Sequence, residues 1–171
     1  PRVEPLITYE RTADALQVND GAEQLPSIPT VLFGARPCDA VALTMLKKFF
    51  AEEPGDPFVE KRAEQLTVIS VSCSKADSYC FCASVGVSPG DTRGSDILLT
   101  PCGNSEYYVE VLTEKGGDLV QKSQNLFSKS EKKEKEKYLA NVSSDIQAEE
   151  ITKRLENAFN NPLWNEASLR C

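Results

Sequence analysis

The chain contains no histidine. That absence excludes Ser-His-Asp and Cys-His catalysis and every mixed Cys/His zinc set. Positive charge is also short: 19 Lys and Arg face 26 Asp and Glu, giving a net charge of −7. With a pI near 4.8, the surface lacks the basic potential that phosphate backbones require, which argues against nucleic acid as a partner. No apolar run approaches the ~20 residues of a membrane span, and no signal peptide is recognisable.

Cysteine is what remains: six in 171 residues. A chain of this length suits one domain with its own core, so a stapled mini-protein is not required. Disulfide scaffolds are shorter, secreted and loop-rich, whereas this chain carries helical patterns and strand-like apolar runs. Cys80 and Cys82, one residue apart, cannot bond each other without strain.

Four of the six fall in two places. Cys38 ends the run Val31-Leu32-Phe33-Gly34-Ala35-Arg36-Pro37-Cys38, and Cys73, Cys80 and Cys82 follow the apolar run 66–71. If the two runs are neighbouring strands, their ends bring all four sulfurs to one rim, where ligands of α/β sheets collect. Four thiolates around one point make the ligand set of an iron–sulfur cluster or a zinc ion. Without histidine, zinc would need an all-cysteine site or a carboxylate. The spacing Cys38-x34-Cys73-x6-Cys80-x-Cys82 matches no standard zinc or ferredoxin pattern. Buried cysteines acting as small hydrophobes therefore stand as the alternative.

Local chemistry favours thiolates at the first position. Pro37 fixes the backbone before Cys38, and the helix start that follows offers free N–H groups and a positive dipole end. Arg36 adds positive charge beside a site that would be anionic. The Cys80-Phe81-Cys82 spacing can set two sulfurs on one side of a turn, with Phe81 turned away to exclude water.

Along the chain, residues 1–29 are polar and broken by Pro5, Pro26 and Pro29, and read as an irregular arm or the remnant of a preceding segment. A strand is expected over 30–33, stopped by Gly34. A helix is expected over 39–50, capped by Asp39, with Leu43, Leu46 and Phe50 on one face. Pro54-Gly55-Asp56-Pro57 is a turn, 58–65 is helical, and 66–71 is a buried strand. Turn residues fill 86–94. Strands over 96–100 and 107–113 form a hairpin through Gly103-Asn104-Ser105. Gly116-Gly117 ends it, and a helix is expected over 118–127. The Lys/Glu run 128–137 pairs Glu131 with Lys135 and Lys132 with Glu136 four residues apart, as a solvated helix does.

A last helix opens at Ser144 with Gln147 as its capping-box partner. Ile151, Leu155, Ala158 and Phe159 share one face, and Asn161-Pro162 stops it. Trp164 is expected to anchor this helix in the core. Strands alternating with helices, followed by a hairpin, predict a single α/β domain with a mixed β-sheet flanked by helices. The glycines at 86, 90 and 94 do not make a strand-to-helix dinucleotide fingerprint. Asp39, Asp91 and Asp96 read as caps and turn residues rather than a paired-carboxylate site.

The run Phe33-Gly34-Ala35-Arg36-Pro37-Cys38-Asp39 resembles the FGxRPCD signature of the beta subunits of hydrogenases and sulfur reductases. That family includes the A subunit of anaerobic sulfite reductase. Cys80-Phe81-Cys82-Ala83-Ser84-Val85-Gly86, then Pro89 and Gly94-Ser95-Asp96, resembles its CFCxSxG…P…G-x-D segment. Leu99-Thr100-Pro101, Tyr108-Val109-Glu110-Val111 and Glu114-Lys115-Gly116 are similar to its pattern as well. The likeness covers residues 26–171. It departs at Cys73-Ser74-Lys75, where a proline is expected nearby, and it gives Cys102 no role.

The resemblance implies an electron-transfer subunit. It would relay electrons in the cytoplasm between a flavin/NAD(P)-binding subunit and the catalytic subunit of a hydrogenase, sulfur reductase or sulfite reductase. Trp164 to Cys171 reproduces a Trp-x5-Arg-Cys lead-in to a two-cluster ferredoxin module, which implies that Cys171 is the first ligand of a module absent from this sequence. Both ends accordingly read as cut: 1–29 as arm, 30–160 as the α/β domain, 161–171 as the lead-in. Three expectations follow. Cys38, Cys73, Cys80 and Cys82 hold a [4Fe–4S] cluster, which aerobic preparation could strip; the domain is a clusterless scaffold that docks partner subunits; or the same thiols hold structural zinc. No catalysis is expected of this stretch alone.

Overall fold

The computed structural model describes residues 5–77, 79–103, 105–129, 133–139, 153, 156, 158 and 161–169. It is an α/β structure with a mixed four-stranded sheet. Strand β3 (Thr30–Ala35) runs parallel to β4 (Leu66–Val71), β4 runs parallel to β5 (Ile97–Gly103), and β6 (Glu106–Val111) returns antiparallel at the far edge. Between β3 and β4 the chain crosses over through helices α1 (Pro37–Phe50) and α2 (Pro57–Gln65). Beyond β6 come α3 (Glu114–Gln121), α4 (Lys133–Leu139) and α5 (Leu163–Ser168). No helix among the described residues is long and apolar enough to cross a membrane.

The N-terminal stretch departs from the irregular run expected of it. Ile7–Arg11 (β1) and Leu16–Asp20 (β2) pair as an antiparallel hairpin. Its turn is closed by the Thr12 N–H, which donates to the Ala15 carbonyl at 2.9 Å. Leu6, Ile7, Tyr9, Leu16 and Val18 all remain exposed. A ribbon without a buried face lacks the strict apolar alternation that announces a strand.

Helix starts follow side-chain chemistry. Asp56 caps α2 by accepting from the Phe58 and Val59 N–H groups at 2.9 and 3.1 Å, and Pro57 takes the first helical position. In α1 the cap shifts from expectation. The helix begins at Pro37, and Asp39, its third residue, reaches back to accept from the Arg36 N–H at 3.2 Å. The glycine pair does not delay α3. Thr113 accepts from the Gly116 N–H at 3.3 Å and donates to Asp96 Oδ1 at 2.5 Å, so the helix is seeded at Glu114.

The core is small and sits on β4 and β5: Val68, Ile69, Ile97 and Leu98 are buried, with Ala35 and Ala40 closing it from β3 and α1. Strand β3 lies at the sheet edge, and its Val31, Leu32 and Phe33 stay exposed. Asp96 stitches the sheet. Its N–H and Oδ2 engage the Val68 carbonyl and N–H at 2.8 and 2.7 Å, and its own carbonyl accepts from Leu112 at 2.9 Å. This bridging role within the sheet differs from the cap or turn expected of this acid.

Two surface expectations need correction. Lys135 is buried rather than solvated, because its ammonium meets Glu110 Oε2 of β6 at 2.5 Å. Trp164 is exposed rather than a core anchor, and its indole N–H donates to the Ala158 carbonyl. Glu131, Lys132, Ser144, Gln147, Ile151, Leu155, Phe159 and Cys171 lie outside the described residues.

Candidate metal centre

Register delivers the first two thiols. Ala35 of β3 and Ser70 of β4 are partners in the parallel ladder. Cys38 and Cys73 each follow their partner by three residues (38 − 35 and 73 − 70). Equal offsets past paired positions of parallel strands end at the same rim. From that rim α1 departs, with Cys38 as its second residue. The strand bulges between Phe33 and Ala35, at Gly34.

The other two thiols sit on short turns. Cys80 donates its N–H to the Asp77 carbonyl at 3.1 Å, and its sulfur accepts from the Asp77 N–H at 3.3 Å. Cys82 opens a short 3₁₀ turn, Cys82–Val85, and its carbonyl accepts from Val87 at 2.9 Å. The Cys73 N–H donates to the Pro89 carbonyl at 3.0 Å, tying the end of β4 to the 86–94 loop. Phe81 is 58% exposed and seals nothing, contrary to its expected role.

Cys73 lies within electrostatic reach of the other three sulfurs, and Cys38 within reach of Cys82. Burial pushes the Cys73 thiol above its ordinary value of 9.0, and the charges of Cys38, Cys82 and Cys80 add to this, opposed by Arg36. Cys38 is raised as well, by burial first and then by the Asp39 carboxylate, with Cys82 contributing. The Asp39 N–H acts in the opposite direction but does not prevail. Burial first, and then the carboxylate that helps cap the helix, outweigh the backbone N–H groups of the helix start, so the Cys38 thiol is raised rather than lowered. That thiol donates to Asp39 Oδ1 at 3.9 Å.

The donor set, four thiols and no histidine, suits a four-thiolate centre in chemistry. All five described cysteines are free of disulfides, and Cys38 and Cys73 follow paired strand positions. Among the described residues, no three Cys, Asp or Glu side chains stand close enough to hold a metal ion. Unligated thiols take other partners, as the sulfurs of Cys38 and Cys80 do with Asp39 and Asp77. Cys102 turns back on its own strand and donates to the Thr100 carbonyl at 3.3 Å. A cleft of about 600 Å³ lies elsewhere, between α1, α2 and the 25–28 segment, and none of these cysteines lines it.

The sequence reading missed the part of the 86–94 loop beyond its turn chemistry. Asp91 accepts from Arg93 Nε and Nη2 at 2.9 and 2.6 Å, and the same Nη2 donates to the Gly86 carbonyl at 2.5 Å. The guanidinium holds the Asp91 carboxyl down at about 2. Gly94, at φ +77°, presses against the Ala40 carbonyl of α1. An Asp-x-Arg pair two residues apart was the only signal for the first contact, and nothing local signals the second.

Two thiols just past paired positions of parallel strands, in a mixed α/β sheet, mark the candidate centre. Over 148 residues the chain is 28% identical to the beta subunit of sulfhydrogenase 2 from Pyrococcus furiosus, covering 82% of this chain and 43% of that protein. The chain therefore stands in a distant family relationship to hydrogenase beta subunits. It spans less than half the length of that curated relative. No protein-family model and no solved structure matches it.

Proposed function

We propose that this chain is part of an electron-transfer subunit of a cytoplasmic hydrogenase, sulfur-reductase or sulfite-reductase complex. In this reading Cys38, Cys73, Cys80 and Cys82 hold a [4Fe–4S] cluster. The subunit passes electrons between a flavin/NAD(P) subunit and the catalytic subunit. Residues 30–160 form the body, and 161–171 lead to a ferredoxin module that starts at Cys171. The observation that carries this reading is the equal offset of Cys38 and Cys73 past paired strand positions, with Cys80 and Cys82 in their field. Its relative is named as a sulfhydrogenase subunit.

When bound, the cluster would supply a one-electron carrier. The protein's own part is to hold and to tune. β3 and β4 fix two ligands, the turns at Asp77 and Cys82 present the others, and Arg36 offsets negative charge at Cys73. The raised thiols of Cys38 and Cys73 must shed protons to ligate, so loading releases protons and is favoured at higher pH.

A second reading is a clusterless docking scaffold. It draws on the absence of a metal-holding triplet among the described residues and on the exposed Phe33, Met45 and Phe49. The deciding experiment is iron, acid-labile sulfide and zinc per chain on protein prepared without oxygen. About four irons and four sulfides, lost in Cys80→Ser, support the relay. Zinc in place of iron makes the site structural. Neither metal after anaerobic reconstitution leaves the scaffold.

A further inference from the structure

Three separate contacts join the 86–94 loop to the thiol-bearing segments. Pro89 accepts from the Cys73 N–H, Val87 donates to the Cys82 carbonyl, and Gly94 packs on the α1 turn that follows Cys38. The loop is in turn closed by one side chain. Arg93 forks onto both oxygens of Asp91 and reaches the Gly86 carbonyl, while Asp91 also accepts from the Ser88 and Arg93 N–H groups at 3.4 and 3.0 Å. Its bonds thus span the loop from its first residue to its eighth.

We propose that Arg93 is a positioning residue for the thiol set, closing the 86–94 loop into a brace that fixes Cys73 and Cys82 on the rim. This rests on reading the four thiols as a ligand set. Three bonds from one guanidinium, two of them parallel onto a carboxylate, set direction as well as distance, which an ammonium cannot reproduce. Arg93 is largely exposed, so its pairing adds little to global stability. Its effect belongs in the local order of the loop, where the Cys73 N–H finds its acceptor. Ligand-orienting partners of this kind change metal affinity by about 10–100-fold when removed.

The test uses the metal-free chain, so it stands whether or not iron binds. Alkylation by iodoacetamide is followed at each cysteine by peptide mass spectrometry in wild type, Arg93→Lys, Arg93→Ala and Asp91→Asn. Cys73 and Cys82 are expected to react about tenfold faster in all three variants, the size expected when a charge-assisted hydrogen bond is lost. Cys102, bonded within β5, should keep its rate. Unchanged rates at Cys73 and Cys82 overturn the proposal. So does a wild-type rate in Arg93→Lys, which would make charge alone sufficient, and so does acceleration at Cys102, which would mean general loosening. Cobalt(II) titration of the same proteins adds the ligand-set readout: wild type that binds no cobalt sinks the ligand set without touching the brace.

Discussion

Gly94→Ala tests whether the loop is held against α1 by contact or merely lies near it. A Cβ at this position would stand 2.1 Å from the Ala40 carbonyl oxygen and 2.5 Å from Thr44 Oγ1. The nearest distance real Cβ atoms adopt is 3.0 Å, so loop and helix must part by about 0.9 Å (3.0 − 2.1). The obstacle is backbone and cannot rotate away. Forcing an alanine into the left-handed region costs about 1–2 kcal/mol, and overpacking adds about 1–3 kcal/mol. Restricting the unfolded chain returns about 0.4–1 kcal/mol. The net loss is about 3 kcal/mol, or about 6–12 °C in Tm for a chain of this size.

Gly86→Ala is the matched control. Its φ is +69°, but nothing lies within 4 Å of the added Cβ. Only the backbone contribution applies there, about 0.5–1 kcal/mol or about 1–4 °C. Adding Thr44→Ala to Gly94→Ala should rescue little, because the Ala40 carbonyl remains in the way. Urea unfolding and calorimetry on the four proteins read the difference. Equal losses at positions 94 and 86, or full rescue by Thr44→Ala, would refute the close approach as the source of the cost.

Two further perturbations follow from the same structure. Asp96→Ala removes the carboxylate that accepts from the Val68 N–H and the Thr113 hydroxyl, and should cost about 3–5 kcal/mol at charge-assisted values; Asp96→Asn, which keeps an acceptor for Val68, should lose about half of that by urea midpoint, and an alanine variant of near wild-type stability would contradict the stitching role. Cys38 and Cys73 are raised above 9.0 in the fold, so the folded chain holds protons that the unfolded chain releases. Their contribution is complete below pH 9.0 and is lost as pH rises through the folded values. The metal-free protein should therefore weaken in alkali more steeply than its Cys38→Ser/Cys73→Ser variant, and parallel curves would count against the shifts.

Much of the sheet was legible because its signals are local. The 66–71 run is largely apolar on both faces, as a strand covered on both faces reads, and β4 occupies that span with Val68, Ile69 and Ser70 buried. The hairpin chemistry at Gly103 and Ser105 is matched by their positive φ values of 85° and 62°. The readings that failed concern elements whose partners are distant in sequence. Helix α3 starts before its glycines because Thr113 is locked to Asp96, seventeen residues earlier. Lys135 is buried because Glu110, on another element, neutralises it. No window along the chain contains either fact.

The placement of Cys38 and Cys73 past paired strand positions was legible for a different reason. Parallel pairing converts two equal counts along the sequence into one place in space, so Cys38 and Cys73 could be brought together once β3 and β4 were read as neighbours. What the count could not carry is the electrostatics. The helix start that should favour a Cys38 thiolate brings with it Asp39, whose carboxylate takes part in capping the helix and faces the sulfur at the same time. Burial and that carboxylate together outweigh the backbone N–H. The same local sequence thus sets Cys38 at the start of α1 and raises its thiol, so under the proposed reading loading the site would release protons and draw the sulfurs together.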